Sequence, residues 1–76
     1  MKQLLTTLAQ ALVERPDQVS VSEFPEDGGT LLELRVAPED RGRVIGRKGR
    51  TADALRTVID AVARRRGVYC DVEVVD

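Results

Sequence analysis

The chain has no histidine, no tryptophan, one cysteine and two aromatic residues, Phe24 and Tyr69, among its 76 residues. Without histidine, Ser-His and Cys-His triads and histidine-ligated zinc have no side chains to be built from. A lone thiol, Cys70, makes neither a disulfide framework nor a cysteine-rich metal site. Two rings are too few for rows of stacked bases, so a nucleic-acid site here has to work without an aromatic platform. No apolar run is long enough to span a bilayer, and the opening MKQLLTTLAQALVERP is too polar for a secretory signal, so a cytoplasmic chain is expected.

Hydrophobic residues make up 42%, mostly Val, Leu and Ala, which is enough for a core in one domain spanning 1–76. A domain of this size buries only about 60% of its unfolded surface, so its stability margin is modest. The net charge of −1 conceals a separation. Residues 41–66 hold nine of the twelve basic residues and two of the thirteen acidic ones, a local charge of +7, and the remainder carries −8. An acidic whole argues against a polyanion as partner; a concentrated basic segment argues for one.

Leu5, Leu8, Ala9, Leu12 and Val13 recur at helical spacing and predict an amphipathic helix over 3–14, which Pro16 ends. Leu4 and Ala11 widen its apolar stripe beyond one face, enough to meet a partner. Val19 and Val21 alternate with serines and predict a strand to about Phe24. PEDGG (25–29) then reads as a five-residue turn, and TLLELRV (30–36) as a second strand with Leu32, Leu34 and Val36 on one face, completing a hairpin. PEDRGRVI (38–45) predicts a short helix, with Pro38 in its first turn and Glu39 and Asp40 at the positive end of its dipole; Gly46 closes it in the left-handed conformation. From Gly49 to about Arg65 a longer helix is predicted on Leu55, Val58, Ile59, Val62 and Ala63, with Arg64, Arg65 and Arg66 at its negative end and Gly67 as cap. A final strand over 68–75 turns Val68, Cys70 and Val72 to one side. The order is α-β-β-α-α-β, an α+β fold.

The densest positive charge coincides with two glycines. In RVIGRKGRT, Gly46 and Gly49 flank Arg47 and Lys48, and residues 41–50 carry five cations. Glycine is entropically costly and needs a local reason. Here two glycines let the chain reverse tightly and let another backbone lie against it. The helix starting near Arg50 aims its unpaired N–H groups and positive dipole end at the same spot. Arg47 and Lys48 add mobile cations at the tip, making a clamp for the phosphates of an extended strand. A GxxG turn alone is a weak signal; its cationic interior, its position between two helices and its basic surroundings strengthen it. A P-loop needs Gly-Lys-Ser/Thr after four spacers, whereas this chain has Gly49-Arg50-Thr51.

VIGRKGRT on an α-β-β-α-α-β chain resembles the KH domain, whose GXXG loop clamps about four nucleotides of single-stranded nucleic acid. The helix and strand ahead of the β-α-α-β core resemble the type II arrangement. The length, the first helix ending in ERPDQV, and LELRVAPEDRGRVIGRKGRTADALRTVIDA resemble the small bacterial single-KH RNA-binding proteins of the KhpA type, over essentially the whole chain. The resemblance implies a three-stranded mixed sheet with three helices on one face, no catalysis and no cofactor. It implies single-stranded RNA as partner, held by the loop at 46–49; single-stranded DNA carries the same phosphates and is not excluded, the difference resting on a contact to the 2′-hydroxyl. Gly46, Arg47, Lys48, Gly49, Arg50 and Thr51 grip phosphate, and Arg41 and Arg43 lie within a turn of them. Bases would lie on Val44 and Ile45, with Leu34 or Val36 from the second strand, and bond to backbone groups of that strand. Proteins of this type are expected to self-associate, to pair with a larger KhpB/Jag-type RNA-binding partner, and to serve as RNA chaperones. The competing expectation is a module whose fold mainly pairs with protein. An enzyme has no nucleophile–base pair or metal spacing behind it. Arg56 is divided between RNA and an ion pair to Asp53 or Asp60, and Arg64-Arg65-Arg66 between RNA and a solvated helix end.

Overall fold

The computed structural model describes residues 1–75; Asp76 lies outside them. Helix α1 (Lys2–Leu12) is followed by a single 3-10 turn at Pro16–Gln18 and the hairpin β1 (Ser20–Glu26) and β2 (Gly29–Arg35). A second 3-10 turn, Pro38–Asp40, leads into the five-residue α2 (Arg41–Ile45). Helix α3 (Arg50–Arg65) and strand β3 (Cys70–Val74) complete the chain. The sheet order is β1-β2-β3, with β1 antiparallel and β3 parallel to β2. This is the α+β, mixed-sheet arrangement of a KH domain.

The helices cover one face of the sheet. Leu5 and Ala9 from α1 and Leu55, Ile59 and Ala63 from α3 are buried in one cluster with Val21, Leu32, Leu34, Cys70 and Val72. Leu5, Leu32, Leu34 and Ile59 expose nothing, and burying each contributes about 1.5–3 kcal/mol. The alanines keep α3 close to the strands. Its C-terminus closes with the paired bonds of a Schellman motif: Gly67 N–H donates to the Arg64 carbonyl (3.1 Å) and Val68 N–H to that of Ala63 (3.0 Å).

Two local expectations change. The hairpin turn is two residues, Asp27 and Gly28, rather than five: β1 continues through Pro25, which pairs with Thr30, and Glu26 pairs with Gly29. Proline is tolerated there because β1 is an edge strand, with no ladder waiting for an N–H on its outer side. Val58, on the helical stripe by spacing, is 42% exposed, at the open groove between α1 and α3.

Candidate nucleic-acid interface

The loop rests on a rigid base. After β2, Val36 and Ala37 are buried, and the 3-10 turn delivers Asp40 into the interior at 1% exposure. A buried carboxylate is costly unless its oxygens are satisfied. Asp40 accepts backbone N–H bonds from Glu14 (3.1 Å, Oδ1) and Arg15 (3.1 Å, Oδ2), and Arg43 Nε lies 3.4 Å from Oδ1. Helix α2 is thereby tied to the segment after α1. Val44, fully buried, anchors α2 to the core from below.

Gly46 ends α2, its N–H bonding the Gly42 carbonyl at 2.8 Å. Its backbone is at φ 76, ψ 171, an extended region essentially reserved for glycine rather than the left-handed helical one. A Cβ there would meet the side chain of Thr51 and come within 2.9 Å of the Thr51 nitrogen. Residues Arg47–Gly49 form one 3-10 turn, closed by Gly49 N–H to Gly46 C=O at 3.1 Å. Lys48 (φ 57, ψ 25) and Gly49 (φ 74, ψ 12) are both left-handed, and Arg50 returns to the right-handed region. The Gly49 and Arg50 N–H groups are used inside the turn, on the Gly46 and Arg47 carbonyls, so what the turn presents outward is its cationic side chains. No side chain caps the N-terminus of the 16-residue α3, so its positive end meets this turn uncapped. Arg47, Lys48 and Arg50 are exposed, and none pairs with a carboxylate among the described residues.

The sequence pattern of the family "KhpA/KhpB, KH domain" matches residues 2–74. The chain belongs to that family. RNA-binding protein KhpA of Clostridium acetobutylicum is 52% identical over 75 residues, covering 99% of this chain and 100% of the relative. The protein of the same name from Leifsonia xyli is 52% identical over 68 residues (90% of each chain), and that of Streptomyces coelicolor 46% over 76 residues (100% and 95%). No solved structure matches the chain significantly.

In this KhpA/KhpB-family chain the candidate residues fall into three groups. Gly46, Arg47, Lys48, Gly49, Arg50 and Thr51 are contiguous at one surface, with half-buried Ile45 beside them. Val44 and Leu34 expose nothing and Val36 only 6%, so these three form the core under the site rather than a floor open to a base. The reason is topological. Strand β2 is the central strand, its side chains on that face lie under the helices, and its backbone groups are used by ladders on both sides. The backbone expected to read bases therefore cannot be that of β2. Strand β3, the edge opposite β1, packs against both α2 and α3. In the third group Arg43 is held by carboxylates, bonding Glu14 at 2.8 Å, and Arg41 is half-buried.

Arg56, undecided by sequence, pairs with Asp53 (Nη1–Oδ1 3.0 Å) and also donates from Nε to the Val72 carbonyl (3.0 Å). Arg64 pairs with Asp60 at 3.0 Å. The role of Asp40 had no clear sequence signal, since a carboxylate in a first helical turn is accounted for by the dipole alone.

The opposite face of the sheet is open. By register it carries Phe24, Leu31 and Tyr69 with Glu26, Glu33, Asp71 and Glu73, while the loop cations sit at the helical side. Hydrogen bonding with Asp71, then burial, pushes the Glu26 carboxyl above its ordinary value, and a bond to Asp71 likewise raises the Tyr69 hydroxyl. The described residues contain no acidic or cysteine cluster fit for a metal and no helix long and apolar enough to cross a membrane.

Proposed function

We propose that this chain is a non-catalytic single-stranded RNA-binding protein that grips the sugar-phosphate backbone with Gly46-Arg47-Lys48-Gly49. One observation carries the reading: a tight turn whose Arg47, Lys48 and Arg50 are exposed and without a carboxylate partner among the described residues lies against the start of α3, which no side chain caps. Its relatives' printed name, RNA-binding protein, supports it. Thr51 and the N–H groups of α3 beyond Arg50, whose own N–H bonds the Arg47 carbonyl, add donors for phosphate. Half-buried Ile45 gives bases an aliphatic contact, and the outer edge of β3 replaces β2 as the backbone that faces them. Arg41 and Arg43 contribute field rather than direct grip, since Arg43 is already held by Glu14. The role extends to an RNA chaperone in the cytoplasm, where the lone buried Cys70 stays reduced.

Arg47→Asp with Lys48→Asp tests the clamp. RNA affinity should be lost and the thermal melt nearly unchanged, because both side chains point into solvent. In the unmodified protein, three or four neutralised phosphates give a log Kd against log[salt] slope of magnitude roughly 2–3, from ≈ 0.7 per phosphate on single strands. RNA binding that survives the double reversal with no salt dependence would rule the clamp out.

A second reading, self-association, rests on the groove between α1 and α3. Leu8, Ala11, Leu12, Ala54, Leu55 and Val58 line it, with Leu12 39% and Val58 42% exposed. Two copies joined there, or one copy and a KhpB/Jag-type partner, would present two weak clamps to one strand and raise affinity through effective concentration.

A further inference from the structure

Both aromatic residues of the chain stand on the sheet face that the helices leave open. By register Phe24 of β1 lies beside Leu31 of β2, and Tyr69, just before β3, lies beside Gly29. Phe24 is 46% exposed and Tyr69 50%. Gly29 makes room for the second ring: a Cβ there would come within 2.8 Å of Tyr69 Cδ2.

The carboxylates of the same face are set against one another. Glu33 and Glu73 are register partners on neighbouring strands. Adjacent strands run about 4.8 Å apart, so anions at opposed positions repel. Glu26 of β1 and Asp71 of β3 also meet, and hydrogen bonding with Asp71 pushes the Glu26 carboxyl above its ordinary value. Against these four carboxylates the register puts one cation, Arg35, on the face, a local charge of −3. No ion pair among the described residues reaches Glu26, Glu33, Asp71 or Glu73. Folding thus gathers like charge around two exposed rings and does not neutralise it from within.

We propose that the open sheet face is a docking surface for an arginine-rich segment of a partner protein. The inference goes beyond the RNA-binding reading and does not depend on it. A guanidinium answers both features of the face, since it stacks on an aromatic ring and bonds a carboxylate with two parallel N–H groups. A metal ion would leave the rings unused, and the described residues hold no cluster fit for one. A nucleic acid would be repelled by the carboxylates. The loop cations sit at the helical side, so a protein segment on this face leaves the proposed clamp open to RNA. Arriving cations also relieve the repulsion between Glu33 and Glu73, which adds to binding what the free protein lacks in stability.

The test uses a short, fluorescently labelled peptide alternating arginine and glycine, followed by anisotropy at low salt without RNA, and a control peptide with lysine in place of each arginine. The arginine peptide should bind roughly two- to fivefold more tightly than the lysine one, the worth of one exposed cation–π contact. Glu33→Gln with Glu73→Gln should weaken the arginine peptide roughly two- to tenfold, the worth of two exposed ion pairs. The same variant without peptide should melt a few degrees higher, because its repulsion is gone. Better folding with poorer binding is a result that a merely structural role does not give. Phe24→Leu should shrink the preference for arginine over lysine and leave the lysine peptide nearly unaffected. Arg47→Asp with Lys48→Asp, which tests the clamp, should keep peptide binding whatever becomes of RNA binding; loss of the peptide there would place it at the loop and overturn the proposal. Arginine and lysine peptides that bind alike, with affinity unmoved by the glutamine pair, overturn it too. So does a salt-sensitive self-association of the protein alone, seen by sedimentation and abolished by the glutamine pair, since a second copy would then hold the face.

Discussion

Gly46 and Gly49 look alike in the sequence and should respond very differently to a methyl group. At Gly46, alanine meets two obstacles. The backbone region at φ 76, ψ 171 costs a non-glycine residue about 1–3 kcal/mol. The new Cβ would also sit 2.9 Å from the backbone nitrogen of Thr51, and because that atom belongs to the first turn of α3 it cannot swing aside. Overpacking of this kind adds about 1–3 kcal/mol. Alanine's stiffer unfolded chain returns roughly 0.4–1 kcal/mol, leaving a net loss of about 2–5 kcal/mol. At Gly49 nothing lies within 4 Å of the added atom, and the φ 74, ψ 12 backbone costs alanine only about 1–2 kcal/mol before the same offset. A 76-residue chain has a total stability on the order of 4–11 kcal/mol, so the first change consumes a large share and the second a small one. At 4–8 °C per kcal/mol, Gly46→Ala should lower the melting temperature by roughly 10–30 °C and Gly49→Ala by less than about 10 °C. Gly49→Asn should recover most of that smaller loss, since asparagine tolerates the left-handed region. Circular-dichroism melts with urea titrations to check constant m provide the measurement. RNA affinity should rank in the opposite sense relative to stability, because the open space over Gly49 is where the proposed clamp admits a phosphate. If Gly49→Ala proves as destabilising as Gly46→Ala, steric crowding by Thr51 is not what the first glycine serves.

Asp40→Ala strips two half-buried backbone N–H groups of their acceptor, at about 1–3 kcal/mol each, and should lower the melting temperature by roughly 10–40 °C; a drop under 5 °C, on the order of 1 kcal/mol, would show that water replaces the carboxylate. Glu26→Gln addresses pH. A carboxyl with a raised folded pKa contributes stability that is present below its unfolded value near 4.5 and is lost as pH rises through the folded value. The variant should therefore melt higher than the parent at pH 7 and not at pH 4, and melts that shift equally at both would exclude the Asp71 contact as the cause. Val58→Asp should reduce the sedimentation coefficient at high protein concentration without lowering the melting temperature, since Val58 is 42% exposed; an unaltered coefficient argues against the α1–α3 groove as a self-association surface.

Local pattern carried the sequence a long way. Both long helices announce themselves by spacing, and the three strands by alternation. What local pattern does not contain is neighbourhood. Leu34 and Val36 alternate as well in a central strand as in an outer one, so nothing in TLLELRV says that β2 is flanked on both sides and its face closed off. Val58 fits the helical stripe yet stays exposed at the groove between α1 and α3, which spacing along α3 alone does not show. Pro25 looked like a breaker because its outer side could not be known to face solvent. Arg56 illustrates the same limit at the candidate site: its i−3 partner Asp53 was visible, and its bond to Val72, sixteen residues away, was not. The GRKG turn was legible because its features are all contiguous.

The bracket formed by Asp40 has a consequence for how small this protein can be made. A fragment cut down to the β-α-α-β portion would discard Glu14 and Arg15, whose main-chain amides satisfy that carboxylate, and strand an anion in the interior beside α2. In this chain the leading helix and its exit are thus foundations for the loop thirty residues downstream, and amputating them should slacken the turn long before anything near it is touched.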